Sequence, residues 1–101
     1  MAVNDGLLLE WLMTWYQLNC DGDWEHQYGI KINTLDNPGW MMKIDLQGTP
    51  KFGSVLPYNL IERTENDWVG VSVKDNKFEV AGGPGNFSEM IGLFKDFVEG
   101  R

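Results

Sequence analysis

Residues 68–81, with the sequence WVGVSVKDNKFEVA, carry the clearest folding signal of the chain. From Val69 to Val73, valines alternate with small or polar residues, which predicts a strand with one buried face. Asp75-Asn76 favours a tight turn. From Phe78 to Val80 the alternation resumes in a shorter strand. This stretch therefore predicts an antiparallel hairpin with Phe78, Val80 and the valines facing the interior.

Period-two alternation recurs on the N-terminal side of the hairpin. Tyr28, Ile30, Ile32 and Thr34 predict a half-buried strand. The turn-forming sequence Leu35 to Gly39 joins it to a second strand over residues 40–46, and residues 58–63 predict a third. Short links without intervening helices are typical of an antiparallel sheet. We therefore predict a meander of about five strands.

Apolar residues spaced three and four apart predict a helix at each end of the chain. The N-terminal helix has Asn4 or Asp5 as its N-cap, and its predicted core face comprises Leu7, Leu8, Trp11, Leu12, Trp15 and Leu18. Residues 87–98 predict the C-terminal helix, where Asn86 and Glu89 have capping-box spacing. The predicted fold is one α+β domain over residues 1–101, in two layers, with both helices on one face of the sheet.

The charge distribution is uneven. The chain has a formal net charge of −7, and residues 1–30 contain five acids and no Lys or Arg. Such acidity disfavours binding to nucleic acid or to an anionic membrane. It suits a basic protein partner, although acidity that only maintains solubility is an equal alternative. With a single cysteine and no stretch resembling a secretory signal or membrane span, we expect a cytoplasmic location.

The segment Cys20 to His26 concentrates reactive residue types: three carboxylates, the only cysteine, the only histidine and a tryptophan. Cys20, His26 and a carboxylate could supply three zinc ligands, but the sequence has no further Cys or His. The spacing does not match an EF-hand loop, and no nucleophile motif is present. We therefore expect no catalytic residue, metal or cofactor. A small metal-binding or hydrolytic domain using this segment remains the alternative.

Three tryptophans lie beside Asp or Gly in or near predicted turns, and acidic residues accompany them. Aromatic anchors with a charged rim are typical of protein-binding surfaces. The predicted partner-binding residues are Asp21, Asp23, Trp24, Glu25, Trp40, Asp67 and Trp68. The structural alternative is that Asp21 or Asp23 caps backbone amides while Trp24 closes the core beneath the first helix.

Several motifs together resemble one protein family. The segments Cys20 to Gly29, Thr34 to Trp40, Asp45 to Thr49, Asn66 to Trp68 and Ala81 to Pro84 are similar, in this order, to the Immunity protein 53 family of bacterial polymorphic toxin systems. The resemblance implies a small α+β protein of the bacterial cytoplasm that binds a cognate toxin domain and neutralises it without catalysis. It does not identify the toxin, for which a basic nuclease is one candidate, and it supplies no contact residues.

Overall fold

The computed structural model describes residues 5–100, which form a five-stranded antiparallel sheet and three helices. The helices are α1 (Asp5–Asn19), α2 (Trp24–Gln27) and α3 (Phe87–Glu99). The strands are β1 (Ile30–Leu35), β2 (Gly39–Asp45), β3 (Leu56–Thr64), β4 (Asp67–Lys74) and β5 (Lys77–Gly82). The predicted α+β fold, with a helix toward each end of the chain, is confirmed. The short α2 lies in a segment that the sequence predicted as a loop.

The strands lie in the order β1-β2-β5-β4-β3. β3, β4 and β5 follow one another as a meander, whereas β2 pairs with β5. The connection over residues 46–55 therefore carries the chain from β2 to the far side of the sheet. As a consequence, β1 and β3 are the two edge strands.

The core lies between the three central strands and the two long helices. Phe94 of α3 contacts both layers of this core: its ring centroid lies 4.9 Å from that of Trp15 in α1 and 4.9 Å from that of Phe78 in β5. The sheet contributes the residues predicted for the central hairpin together with two from β2, all buried: Met42, Ile44, Val69, Val71, Val73, Phe78 and Val80. The predicted inward face of the hairpin is therefore confirmed.

Two of the six residues predicted for the core face of α1 are exposed. Leu7 is 59% and Leu18 is 79% exposed. At 3.6 residues per turn these two positions lie about 80–100° from Leu8 around the helix axis, while Leu12 and Trp15 stay near Leu8 on the buried face. The predicted N-cap at Asn4 or Asp5 falls outside the side chains that the structure describes.

Two local predictions near the sheet are also wrong. Ile32 (44% exposed) and Thr34 are not half-buried, because β1 is an edge strand that α1 does not fully cover. Asn86 makes no side-chain cap on α3. Its amide instead donates to Asp67 and Glu89, because the side chain turns toward the start of β4.

Candidate functional site

Residues 20–28, between α1 and β1, form a loop whose backbone is hydrogen-bonded to its own carboxylates. We call it the acidic loop. Asp21 Oδ1 accepts hydrogen bonds from the backbone N–H groups of Asp23 and Trp24, each at 2.9 Å. Glu25 makes the reverse contacts, because its two carboxylate oxygens accept hydrogen bonds from the backbone N–H groups of Asp21 (2.9 Å) and Gly22 (2.8 Å), earlier in the loop. Gly22 has φ of 91°, which L side chains rarely adopt. Two of the three carboxylates therefore satisfy backbone donors.

These hydrogen bonds also set the electrostatics of the loop. The N–H groups of Trp24 and Asp23 lower the pKa of Asp21. Backbone hydrogen bonding, that of its own N–H first, lowers the pKa of Glu25. Both groups are consequently held as anions. Asp23 accepts a 3.2 Å bond from the Gln27 side chain and is exposed, as is Asp21.

Trp24 anchors the loop in the core. It is only 5% exposed, and its ring stands edge-on to Trp15 with centroids 6.0 Å apart. Its indole N–H donates a 2.7 Å hydrogen bond to the carbonyl of Gln47, in the connection that follows β2. An alternative to partner binding, raised by the sequence, is that Trp24 closes the core beneath the first helix. The contacts of Trp24 agree with that alternative, since they join α1, the acidic loop and the 46–55 connection.

Cys20 and His26, at the two ends of the loop, differ in exposure. Cys20 is half-buried, and its interaction with Tyr16 is the main reason that the pKa of the Tyr16 hydroxyl is raised. His26 is exposed. Among the side chains that the structure describes, no three His, Cys, Asp or Glu groups converge as a metal site. The hydrogen bonds observed in residues 20–28 are those of a folded loop.

Asp67 belongs to a second polar cluster, which we call the Asp67 corner: Arg63, Asp67, Asn86 and Glu89. Arg63 donates two hydrogen bonds to the Asp67 carboxylate, at 2.9 and 3.1 Å, and also forms an ion pair with Glu89. Asn86 donates to the same two carboxylates and accepts from the backbone N–H of Trp68. The Arg63 guanidinium is the main reason that the pKa of Asp67 is lowered. The corner therefore joins β3, β4 and the start of α3.

Close backbone packing completes this corner. A side chain at Gly83 would collide with the carbonyl of Asn66, so only glycine allows the β5–α3 connection to pass so near the β3–β4 turn. Gly83 N–H donates to the carbonyl of Trp68 at 3.1 Å. The Ala81 to Pro84 motif thus serves the junction of sheet and helix.

The seven predicted partner-binding residues lie in two groups at opposite ends of the sheet. Trp24 contacts the chain just after β2, whereas Trp40 lies at the start of β2, and seven strand residues span about 20 Å. Asp67 and Trp68 lie at the same end as Trp40, because Gly82 of β5 pairs with Trp40 on one side and with Val69 on the other.

The two tryptophans of the second group do not share a face. Trp40 packs on Phe87 of α3, with centroids 5.0 Å apart, and donates to the carbonyl of Pro84. Trp68 alternates with the buried Val69 and therefore points to the face without helices. The structure brings Asp21, Asp23, Trp24 and Glu25 together, and it does not place them in one patch with Trp40, Asp67 and Trp68.

A groove beside the acidic loop was not predicted. It lies between α1 and β1 and has a volume of about 720 Å³. We call it the α1–β1 groove, and its apolar walls include Leu9, Met13, Tyr16, Ile30 and Ile32. Gln27 and Tyr28 of the acidic loop line it as well. One signal could have revealed it: α1 carries apolar residues on more than one face, which a helix with a single buried side does not need.

Carboxylates lie in the acidic loop beside this groove, and the charged residues that line the groove itself are Lys31 and Asp45. Asp21 and Asp23 are exposed in the adjoining loop, and Glu10 is exposed on α1. Lys31 is a base on the β1 side. Asp45, also at the groove, is paired with Lys77 at 2.8 Å. The groove thus offers apolar side chains next to ionised carboxylates, which is an arrangement suited to a macromolecular partner.

None of the described helices is long and apolar enough to cross a membrane. Comparison with curated proteins and with solved structures gives no match. The sequence model of the family described as Immunity protein 53 matches residues 9–99, which is most of the chain and includes every candidate site residue above. The resemblance seen in the motifs is therefore confirmed, and the chain belongs to the Immunity protein 53 family.

Proposed function

We propose that this protein binds a cognate toxin domain and neutralises it by stoichiometric occlusion, with the α1–β1 groove and the acidic loop as the contact surface. The observation that carries the proposal is the family match over residues 9–99, since membership of an immunity family implies a toxin-neutralising, non-enzymatic inhibitor. In this proposal the protein acts in the bacterial cytoplasm, and the toxin belongs to a polymorphic toxin system.

Charge supports this placement of the contact. Asp21 and Asp23 are exposed, and hydrogen bonds hold Asp21 in a fixed position. A toxin that acts on an anionic substrate, such as a nuclease, needs basic residues in its own site. Fixed carboxylates can engage those residues without first losing much conformational freedom, and the acidic N-terminal region accelerates the encounter.

Exposed apolar side chains supply the second half of the contact. Met13 (52%), Tyr16 (37%) and Ile32 (44%) present their surfaces along the groove. Such side chains contribute binding energy when a partner removes them from water. The buried Trp24 has little surface left to offer, so its part in the proposal is to hold the acidic loop in place. The proposed contact does not include Trp40, Asp67 or Trp68, at the other end of the sheet.

The test uses the toxin domain encoded beside this protein. The purified pair should form a 1:1 complex that abolishes toxin activity, and the association rate constant should fall as salt increases while the dissociation rate constant changes less. The double substitution Asp21→Asn and Asp23→Asn should lower the association rate constant by about three- to tenfold. Asparagine can still accept the hydrogen bonds of the loop, so the fold is preserved.

The matched control is Asp36→Asn with Asp75→Asn, which removes the same charge from two exposed turn residues. Asp75 has a positive φ of 54°, a conformation that asparagine tolerates well. An equal effect of both pairs would assign the steering to net charge rather than to the acidic loop. A complex indifferent to Asp21, Asp23 and an added Ile32→Lys would exclude the groove as the contact.

A further inference from the structure

Within the part of the chain that the structure describes, the β3 edge is one of two regions that expose several large apolar side chains, the other being α1 with the neighbouring Ile32. All nine residues of β3 are exposed. Together with the preceding connection it presents six large apolar side chains, 37–74% exposed, which we call the β3 edge patch: Phe52, Val55, Leu56, Tyr58, Leu60 and Ile61. At about 150–200 Å² for each complete side chain, the six residues together expose roughly 500–600 Å², divided between the two faces of the sheet. Exposed apolar patches of a few hundred Å² are often functional.

The backbone of this edge is equally open. Among the strands within residues 5–100, β3 pairs only with β4, so one side of it has hydrogen-bonding groups without a neighbouring strand. Register shifts lie between Leu56 and Asn59 and between Glu62 and Thr64. The segment Asn59 to Glu62 between them is regular. Leu60 and Ile61 are the apolar residues of this regular segment, and they point to opposite faces of the sheet.

We propose that the β3 edge patch is the interface of a homodimer, in which β3 pairs antiparallel with β3 of a second copy. Pairing around a two-fold axis would extend the sheet to ten strands, near the upper limit for an open sheet. Complete burial of the two patches would remove at most about 1,200 Å² of apolar surface from water, so the pairing can reach the roughly 1,000 Å² of a specific interface only if the side chains on both faces of the sheet contribute.

Charge favours a second copy as the occupant. Each molecule carries a formal charge of −7, so two copies repel one another overall, and a contact through a neutral segment brings the fewest like charges together. Residues 51–65 are neutral, because Lys51 and Arg63 balance Glu62 and Glu65. Arg63 is moreover engaged by Asp67 and Glu89 within its own molecule. A basic partner finds no excess of acid here, in contrast to the acidic loop.

The test is the oligomeric state of the purified protein, measured by sedimentation equilibrium from about 1 to 100 µM, a range spanning typical transient dimers. We expect the mass to approach twice the 11.5 kDa of one chain. Leu60→Lys places a charge in the regular segment, as natural edge strands do to block pairing. It should raise the dimer dissociation constant at least about tenfold.

Ile32→Lys is the matched control, since Ile32 (44%) is as exposed as Leu60 (48%) but lies on the opposite edge strand. It should leave the dimer intact. Circular dichroism establishes that both variants are folded. A wild-type mass of 11.5 kDa at every concentration overturns the proposal, as does dissociation by Ile32→Lys alone. If Leu60→Lys abolishes toxin binding while the mass of the free protein is unchanged, the edge is a toxin contact and not a dimer interface.

Discussion

Residues 20–28 contain three carboxylates, whereas β3 contains one acid and four large apolar side chains. By composition, the acidic loop should lie in solvent and β3 in the core. The structure shows the opposite at the decisive positions, because Trp24 is 5% exposed while Tyr58 is 65% exposed. Local hydrogen bonds and strand order, rather than composition, therefore decide which side chains of each region are buried and which are exposed.

The two regions also differ in the chemistry of the surface that they present to a partner. The acidic loop offers ionised groups held by backbone N–H donors, next to an apolar groove. The β3 edge offers apolar side chains and open backbone with little net charge. If both proposals hold, the molecule has one surface for a basic protein and a separate one for its own copy.

The largest expected effect is the loss of stability on Trp24→Ala. This substitution removes a buried indole, its contact with Trp15 and its hydrogen bond to Gln47. We expect a decrease of about 3–5 kcal/mol in the free energy of unfolding. Guanidinium denaturation followed by far-UV circular dichroism measures it.

Tyr58→Ala is the control for Trp24→Ala, because it also removes an aromatic ring but from the exposed β3 edge. At a protein concentration below that of self-association it should cost less than about 1 kcal/mol. If Tyr58→Ala lowered the free energy of unfolding as much as Trp24→Ala, then Tyr58 would contribute to the core as Trp24 does, and the contrast between the two regions would be wrong.

The next effect separates two neighbouring acids of the loop. Asp21→Ala removes the acceptor of two backbone hydrogen bonds, whereas Asp23→Ala removes one longer bond to a side chain. We expect Asp21→Ala to lower the midpoint of thermal unfolding by a few degrees, Asp23→Ala to leave it nearly unchanged, and Asp21→Asn to restore most of the loss. Equal effects of the two alanine variants would indicate that Asp21 is solvated like its neighbour.

The central part of the fold was predictable because its signal is local. Val69 to Val73 and Phe78 to Val80 alternate over strands that are buried on one face, and the turn between them is short. The C-terminal helix was predictable for the same reason, since a single apolar stripe faces the core. In these segments each residue's surroundings follow from the period alone.

The edges were not predictable because strand order depends on distant pairings. Ile32 and Leu60 show strand-like patterns, yet both are exposed because β2 pairs with β5 and leaves β1 and β3 outermost. Period alone does not reveal whether a strand has neighbours on both sides.

The candidate site shows the same limit. The sequence placed Asp21, Asp23, Trp24 and Glu25 in one loop, and the structure keeps them together. It could not show that Trp24 faces inward, because the decisive partner, Gln47, is 23 residues away. Likewise, Asp67 reads as a surface acid until Arg63 and Asn86 meet it across the β3–β4 turn and the start of α3.

The smallest effect is the dependence of stability on acid pH, and it tests whether the loop carboxylates are structural. Hydrogen bonds from the backbone lower the pKa of Asp21 and of Glu25 from ordinary values of 3.8 and 4.5. Folding therefore favours their ionised forms, so their contribution to stability is complete above the ordinary values and is lost as the pH falls through the lowered ones. Acidification also reduces the net charge of −7 and its repulsion, while Asp67, whose pKa Arg63 lowers, adds the same loss of stability in the wild type and in a variant of the two loop carboxylates. High salt screens that repulsion but leaves short hydrogen bonds intact.

In high salt, the free energy of unfolding should decline between pH 5 and pH 3 more steeply for the wild type than for the double variant Asp21→Asn and Glu25→Gln, as measured by urea denaturation at each pH. Parallel curves would mean that the two carboxylates are as free in the folded protein as in the unfolded chain, and the acidic loop would then be open to solvent like the β3 edge.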